Sequence, residues 1–600
     1  MKDKIHSYYL SKEQEAHDNL QKLQLKMRLL SWLRVGSFVF TLLFLGLAIY
    51  QGINAFFILA LIGFISFLVC VRIHLRRQED HRFGLALLNI YRDELLALEY
   101  SFDHYPKGED HLNVNHPYAD DLDLFGTGSV FQYLNRTTSP FGSDKLAGLL
   151  ANTNIDIDQI RLRQEAVKEL TDQRDWSENF YASGRLTESA SDEKEAITIW
   201  LNTPYAAYSG VFYTTMLKSL PVFSIGLLVL AMMERIPWTI FFLFALIPLM
   251  VVGSKFKALR KEYQLLSQFN ATLSKYYRLI KKIEERDWDS KLLRQKKSEL
   301  EVGAISASDS VKELRGISEA LDMADSMIGG LVLNALLLWN VRYALKLKKW
   351  KEENRNKLPE WFDVIGEFEA FNSIGILAFN RDDLHYPTPT DKKETIIKTQ
   401  AMGHLLIRPE ERVNNNFDLE LPGKFVILTG ANMAGKSTFL RAIGSNMMLA
   451  ASGAPVCAEK MSWRPLPLFS SMRTSDSLQS NESYFYAELK RLKNLLEYAE
   501  SEPELFIILD EILKGTNSKD KAEGSALFVK KILSKNIYGI IATHDLSLCK
   551  LEDEFSSEVE NLSFDVEIKD NDLHFDYKLH EGICQNMNAT FLLNKMGLVD

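Results

Sequence analysis

Gly430-Ala431-Asn432-Met433-Ala434-Gly435-Lys436-Ser437 decides how this 600-residue chain is read. The stretch fits Gly-x-x-x-x-Gly-Lys-Ser, and Thr438 follows it. The run Phe425-Val-Ile-Leu428 before it is apolar, which predicts a buried strand, and Phe439-Leu-Arg-Ala-Ile443 after it has helix formers. Strand, glycine loop and helix are the context in which this pattern cradles phosphates. Glycines let successive N–H groups turn inward as an anion nest, and the helix N-terminus adds partial positive charge. Residues 430–438 would therefore wrap a nucleoside triphosphate, with Lys436 reaching the β- and γ-phosphates and Ser437 holding Mg²⁺.

Two further strands end in polar groups that suit such a site. Leu505-Phe-Ile-Ile-Leu-Asp-Glu511 is an apolar run delivering two carboxylates to a strand tip, where ligands of open α/β sheets sit. Asp510 is the expected Mg²⁺ support, and Glu511 the group that orients or deprotonates the attacking water. Ile540-Ile-Ala-Thr-His-Asp545 is another such strand, and it puts His544 within reach of the γ-phosphate. Gly515-Thr-Asn-Ser-Lys-Asp520 forms a polar turn suited to meeting a neighbouring subunit. From about residue 400 onward strands and helices alternate, as a doubly wound sheet requires.

The first half reads differently. No charged residue occurs from Val35 to Val71, a run broken only by the turn signal Gln51-Gly-Ile-Asn54. Two helices at roughly 33–50 and 55–72 follow, with Arg34 on one flank and Arg72, Arg76 and Arg77 on the other. This asymmetry puts both ends in the cytoplasm. A second hairpin is expected at 219–233 and 236–254, turning at Glu234-Arg235 and followed by Lys255, Lys257, Arg260 and Lys261. A third apolar run, Ser326 to Val341, contains Asn334 and Asn340 and reads as a soluble core helix. Lys348 to Glu353 reads as a solvated helix face. The four cysteines are scattered, without metal spacing or a disulfide framework. A net charge of −9 weighs against a generally basic nucleic-acid coat.

The C-terminal half resembles the ATPase of the MutS family, a branch of the ABC-type P-loop enzymes. Thr429 to Thr438 carries that family's Asn-Met pair. Asp476-Ser-Leu-Gln-Ser-Asn-Glu-Ser-Tyr-Phe-Tyr-Ala-Glu488 is similar to its signature segment, with Asn481 in the usual glycine's place and Tyr484 in that of threonine. Val413-Asn-Asn-Asn416, after Gly403-His-Leu-Leu406, resembles the lead-in strand and the loop bordering the nucleotide base, hence Asn415 as a binding residue. The 122–180 region, with Asn135-Arg-Thr-Thr138 and Arg161-x-Arg-x-Glu-Ala-Val167, looks like the start of the family's helical core. His580-Glu-Gly-Ile-Cys584 and Ala589 to Gly597 are similar to its last ATPase segment.

The resemblance implies ATP and Mg²⁺ as ligands, a homodimer with composite sites in which Ser483 touches the γ-phosphate in trans, and DNA as a partner. The departure at Asn481 implies slow turnover, since its side chain obstructs close backbone approach. No Phe-x-Glu wedge in a glycine-aromatic context is found ahead of the core, and no nuclease-like domain is expected after the ATPase. The expected layout is an amphipathic segment 1–32, a transmembrane hairpin 33–73, a helical linker 74–121, a helical core and lever domain 122–385 interrupted by the second hairpin (about 219–254), and an α/β P-loop ATPase domain 386–600. The protein is expected to be a multi-pass resident of an inner or plasma membrane with its ATPase in the cytoplasm. The alternative to a DNA-acting ATPase is a membrane-associated machine working on a protein or membrane partner. A transporter is disfavoured, because two hairpins offer few charged or broken-helix features to form a pathway.

Overall fold

The computed structural model describes residues 2–584, apart from 114, 154, 188–192, 204–207, 209, 269, 302–305, 474–483 and 570–571. A mainly helical N-terminal part leads into an α/β domain with two sheets. Strands β1 (Thr388–Pro389), β2 (Thr395–Met402), β3 (Asn415–Glu420) and β5 (Lys460–Trp463) form the smaller sheet, in the order β1-β5-β2-β3. Strand β4 (Phe425–Gly430) belongs to the larger one, with β6 (Leu468–Ser471), β7 (Leu505–Asp510), β8 (Ile537–Ala542), β9 (Val559–Lys569) and β10 (Asp572–Glu581). Its order is β10-β9-β4-β8-β7-β6, and only β9 and β10 pair antiparallel.

The central strands of that sheet are buried on both faces, which is why they read as continuous apolar runs. Val426, Leu428, Ile508 and Ile540 join the core under the helix Lys436–Ser452. Phe425, Ile427, Ile507 and Ile541 face the other core, toward the helices Tyr484–Ser501 and Ser518–Leu533. Register then sets the site. Leu428 and Asp510 both pair with Ala542, so the chain leaves β4, β7 and β8 side by side at one edge.

The helical part is built on Lys357–Asn380, apolar nearly all round and correspondingly buried. The helix Pro140–Ala151 crosses it closely at Gly366, where a Cβ would sit 2.7 Å from the Phe141 carbonyl oxygen.

At the N-terminus the structure differs from the expected layout. Residues 1–32 and 33–50 are not separate elements, because one helix runs Lys2–Gln51. Its partner likewise continues past residue 72 as Asn54–Leu98. Neither boundary carries a glycine or proline to stop a helix, so charge alone changes there. The helices lie antiparallel around small residues: Ala48 and Ala60 are buried, and a Cβ at Gly63 would lie 2.7 Å from Thr41 Oγ1. Near the turn the outward residues are apolar and exposed, among them Leu43, Ile49 and Ile62. At the base Tyr9, Ile90, Tyr91 and Leu98 pack with Tyr181, Ala182 and Ile376 of the helical part.

The second hairpin comprises Val211–Met232 and Trp238–Gly253, so its first helix begins earlier than residue 219. Among the described residues three helices are long and apolar enough to cross a membrane, or up to five if two bent pairs each count as one span. Two expectations fail. The run Ser326–Val341 is not a core helix: Met327–Leu337 packs on both helices of the second hairpin and exposes Ile328, Leu331 and Val332. The second fails in part: in the run Lys348 to Glu353, Lys349, Glu352 and Glu353 are exposed, but Lys351 is buried and donates to the Trp200 and Thr203 carbonyls at 2.6 and 2.8 Å.

Candidate functional site

The loop after β4 needs its glycines. Gly435 has φ 101°, which strains any side chain there, and the Tyr577 ring lies 3.1 Å from where its Cβ would be, so a side chain would also crowd that ring. Met433, also left-handed at φ 67°, is a strained non-glycine position, and its side chain points to solvent. The helix then begins at Lys436, directing its free N–H groups at a cavity of 680 Å³. Ala431, Asn432, Met433, Ser437 and Thr438 line this cavity, whereas Ala434 is buried behind it.

Lys436 Nζ donates to the Gly430 and Ala431 carbonyls at 2.8 and 2.9 Å and lies 3.4 Å from His544 Nε2. Burial lowers its pKa, against the nearby charges of Asp510 and Glu511. Ser437 Oγ donates to Asp510 Oδ2 at 2.6 Å, which joins two hard oxygen donors at the helix N-terminus. That pair fits Mg²⁺, which takes one or two protein oxygens and completes its shell with phosphate and water.

Glu511 follows in a left-handed conformation, φ 53°, with its N–H donated to the Ala542 carbonyl at 2.8 Å. Its carboxylate accepts from Lys521 Nζ at 2.9 Å and faces Lys514 at 3.7 Å. Burial alone would raise its pKa, but the Lys521 hydrogen bond and the charges of Lys521, Lys514 and His544 bring it below the usual value. Glu511 is thus held ionised. The His544 pKa is lowered as well, by burial and by the Lys436 charge, which favours neutral imidazole. Lys436, Ser437, Asp510, Glu511 and His544 therefore come together as the motifs predict.

Asn415 does so differently. It lines the cavity, but its amide is spent on the β9–β10 ribbon, donating to the Tyr577 carbonyl at 2.9 Å and accepting from Leu579 N–H at 2.8 Å. It positions Tyr577, which stands over Gly435, and so reaches the nucleotide loop through that ring. Ser483 and Asn481 lie outside the described residues, as do residues 589–597. The flanks of the 474–483 segment are tied down. Asp121 accepts from the Met472 and Arg473 N–H groups at 3.0 and 2.7 Å, and Glu488 accepts from Lys514 N–H at 3.0 Å.

Sequence reasoning missed Lys521, Tyr577, Arg412 and His404, none of which has a fixed spacing from the phosphate loop. His404 lines the cavity with Nε2 buried and unpartnered. Burial, and then the Arg441 and Arg412 charges, push its pKa down to about 4 from 6.5. The unfolded chain therefore takes up a proton on this residue between pH 6.5 and 4 that the folded chain refuses, and stability is lost as pH falls through that window. The loss should reach the order of 3 kcal/mol near pH 4. His404→Gln is expected to flatten this part of the Tm-against-pH curve; an unchanged curve would mean that His404 titrates normally.

The MutS domain V family model matches residues 426–592. Human MutS protein homolog 4 is 31% identical over 189 residues, which is 30% of this chain and 20% of that protein. Endonuclease MutS2 of Thermus thermophilus is 32% identical over 241 residues, 37% of this chain and 31% of the relative. DNA mismatch repair protein MutS of Thermotoga maritima is 23% identical over 255 residues, 42% of this chain and 31% of the relative. The chain thus covers less than a third of each of these relatives.

Proposed function

Because this chain belongs to the MutS family, we propose that it is a Mg²⁺-dependent ATPase that closes as a homodimer around composite sites and acts on DNA. The observation that carries the ATPase reading is the 2.6 Å pairing of Ser437 with Asp510 at the mouth of the phosphate loop, with Glu511 next in the chain. Lys436 and the helix N-terminus bind and orient the phosphates, and Glu511 holds the attacking water. Ser437 and Asp510 hold Mg²⁺, which when bound neutralises phosphate charge. In trans, Ser483 completes the opposite site. The anchoring of Met472 and Arg473 on Asp121, and of the Lys514 amide on Glu488, fixes the residues that flank the signature segment and supports its use by a second copy. DNA enters through the relatives, one named an endonuclease and the other a mismatch repair protein. In detergent solution, anisotropy of labelled duplex and branched DNA is expected to show ATP-dependent binding that weakens steeply with salt, as phosphate contacts require. No binding at low salt would overturn the DNA arm.

A second reading is favoured by how the N-terminal hairpin meets the nucleotide pocket. Arg408 Nη2 donates to the Glu99 carbonyl at 3.0 Å and Tyr100 Oη to the Ile407 carbonyl at 3.2 Å, just past the hairpin's second helix. Ile407 and Arg412 line the nucleotide cavity. Arg412 Nη2 donates to Asp383 at 3.0 Å, and Asp383 is also gripped by Arg381 at 2.7 and 2.8 Å. The preceding Asn380 accepts from Tyr9 and donates to Glu94, both at the hairpin base. One hydrogen-bonded frame therefore joins pocket wall and hairpin. In this reading both hairpins sit in an inner or plasma membrane, with the ATPase in the cytoplasm, and nucleotide-driven closure is delivered to them. The 22 residues of Val211–Met232 reach roughly 33 Å, enough for a bilayer core.

A further inference from the structure

We infer that Met327–Leu337 is a third membrane element, a short helix that enters the bilayer beside the second hairpin and returns to the same side. The inference rests on the membrane reading of the hairpins. Eleven helical residues rise only about 16 Å, about half a bilayer core, so this helix cannot cross. It is nevertheless apolar, with no charged residue between Asp325 and Arg342. It packs on both helices of the hairpin, which expose apolar residues of their own, Leu230 and Leu246 among them. The free face of the short helix carries Ile328, Leu331 and Val332, exposed by 79%, 58% and 50%, values at which a water-facing helix carries polar residues.

The turn at the C-terminal end of this helix is built for a medium without water. Irregular backbone is tolerated at membrane depth only where protein covers it. The helix folds back at Ser326, 111° from the preceding one, and a Cβ at Gly330 would collide with the Ala324 carbonyl. At the other end Leu338 turns left-handed, φ 50°, and is fully buried. The Asn334 side chain, itself buried, donates to the Gly330 carbonyl at 2.8 Å and accepts from Asn340 N–H at 2.8 Å. The Asn334 amide, which makes the run look aqueous, is thus consumed inside it, and Asn340 is buried. Trp339 and Tyr343 follow, ring centroids 4.8 Å apart, then Arg342, Lys346, Lys348 and Lys349, the aromatic and basic order of a membrane interface. Asp322 and Asp325 mark the same interface at the entry end.

The test uses the full chain in vesicles, with Cys70→Ser to leave only buried native cysteines. An environment-sensitive fluorophore is placed on Ile328→Cys or Leu331→Cys, on Leu246→Cys and Leu43→Cys as hairpin references, and on Leu527→Cys as an aqueous reference. Retained ATP binding confirms each fold. Brominated phosphatidylcholine is expected to quench residues 328 and 331 as it quenches 246 and 43, with bromines near the glycerol end most effective, while iodide quenches only 527. If 328 and 331 respond to iodide, or to neither quencher because protein covers them, while 246 and 43 respond to lipid, the inference falls and the hairpin reading stands. If 246 and 43 also fail to respond to lipid, both fall together.

Discussion

Glu511→Gln is expected to lower kcat for ATP hydrolysis by about 10²- to 10⁴-fold, the range for losing a positioned base, while ATP still binds. The substitution keeps the side chain's volume and an oxygen that Lys521 Nζ can still reach, so the loop after β7 need not move. What it removes is a carboxylate held ionised by Lys521 and Lys514. Because the same lysines make that carboxylate a weaker base, its contribution lies in orienting water and meeting developing positive charge. The variant should therefore lose kcat with little change in nucleotide affinity, a split read by pairing steady-state turnover with equilibrium binding. Full turnover in Glu511→Gln would remove this residue from the chemistry. Equal loss of turnover and binding would instead give it a structural role.

That site was largely legible because its parts are local. A buried parallel strand is apolar almost from end to end, so the glycine and the carboxylate that close β4 and β7, Gly430 and Asp510, stand out. The fold around it was less so. The N-terminal hairpin was visible as two apolar runs, but not as helices of 50 and 45 residues, since nothing in the amphipathic stretch stops a helix. Asn334 misled because a polar residue satisfied by its own turn looks, in sequence, like one that needs water. Lys351 misled because its carbonyl partners, Trp200 and Thr203, are far away in the chain. Tyr577 and His404 reach the pocket from strands and loops whose approach depends on sheet order, which no single spacing encodes.

Arg136→Met should be the most damaging substitution for stability, for a reason equally invisible in sequence. Arg136 donates to both oxygens of Glu94, at 2.6 and 3.1 Å, and Glu94 is fully buried at the hairpin base, where it also accepts from Asn380 at 2.7 Å and Tyr105 at 3.2 Å. Burial drives the Glu94 pKa up, and the Arg136 charge and hydrogen bonds more than reverse it, leaving it below normal. Removing Arg136 strands a buried charge, at a cost of about 3–5 kcal/mol, a large share of the 5–15 kcal/mol that holds a typical protein folded. Denaturant unfolding in detergent measures the loss, and limited proteolysis near residue 98 reports whether the hairpin base detaches first. The double variant Glu94→Gln/Arg136→Met should recover much of it, since no charge is then left buried. The pH dependence separates this account from simple loss of packing. In the native chain the depressed Glu94 pKa gives stability that is present above the unfolded carboxylate pKa and is lost on acidification. In Arg136→Met the pKa is raised instead, so the folded state binds the proton more tightly and stability falls as pH rises. The single variant should therefore lie closest to the native chain near pH 4 and furthest from it at neutral pH. A gap independent of pH would show that Arg136 serves the base through packing over Tyr105, 3.7 Å from that ring's centre, and not through its charge.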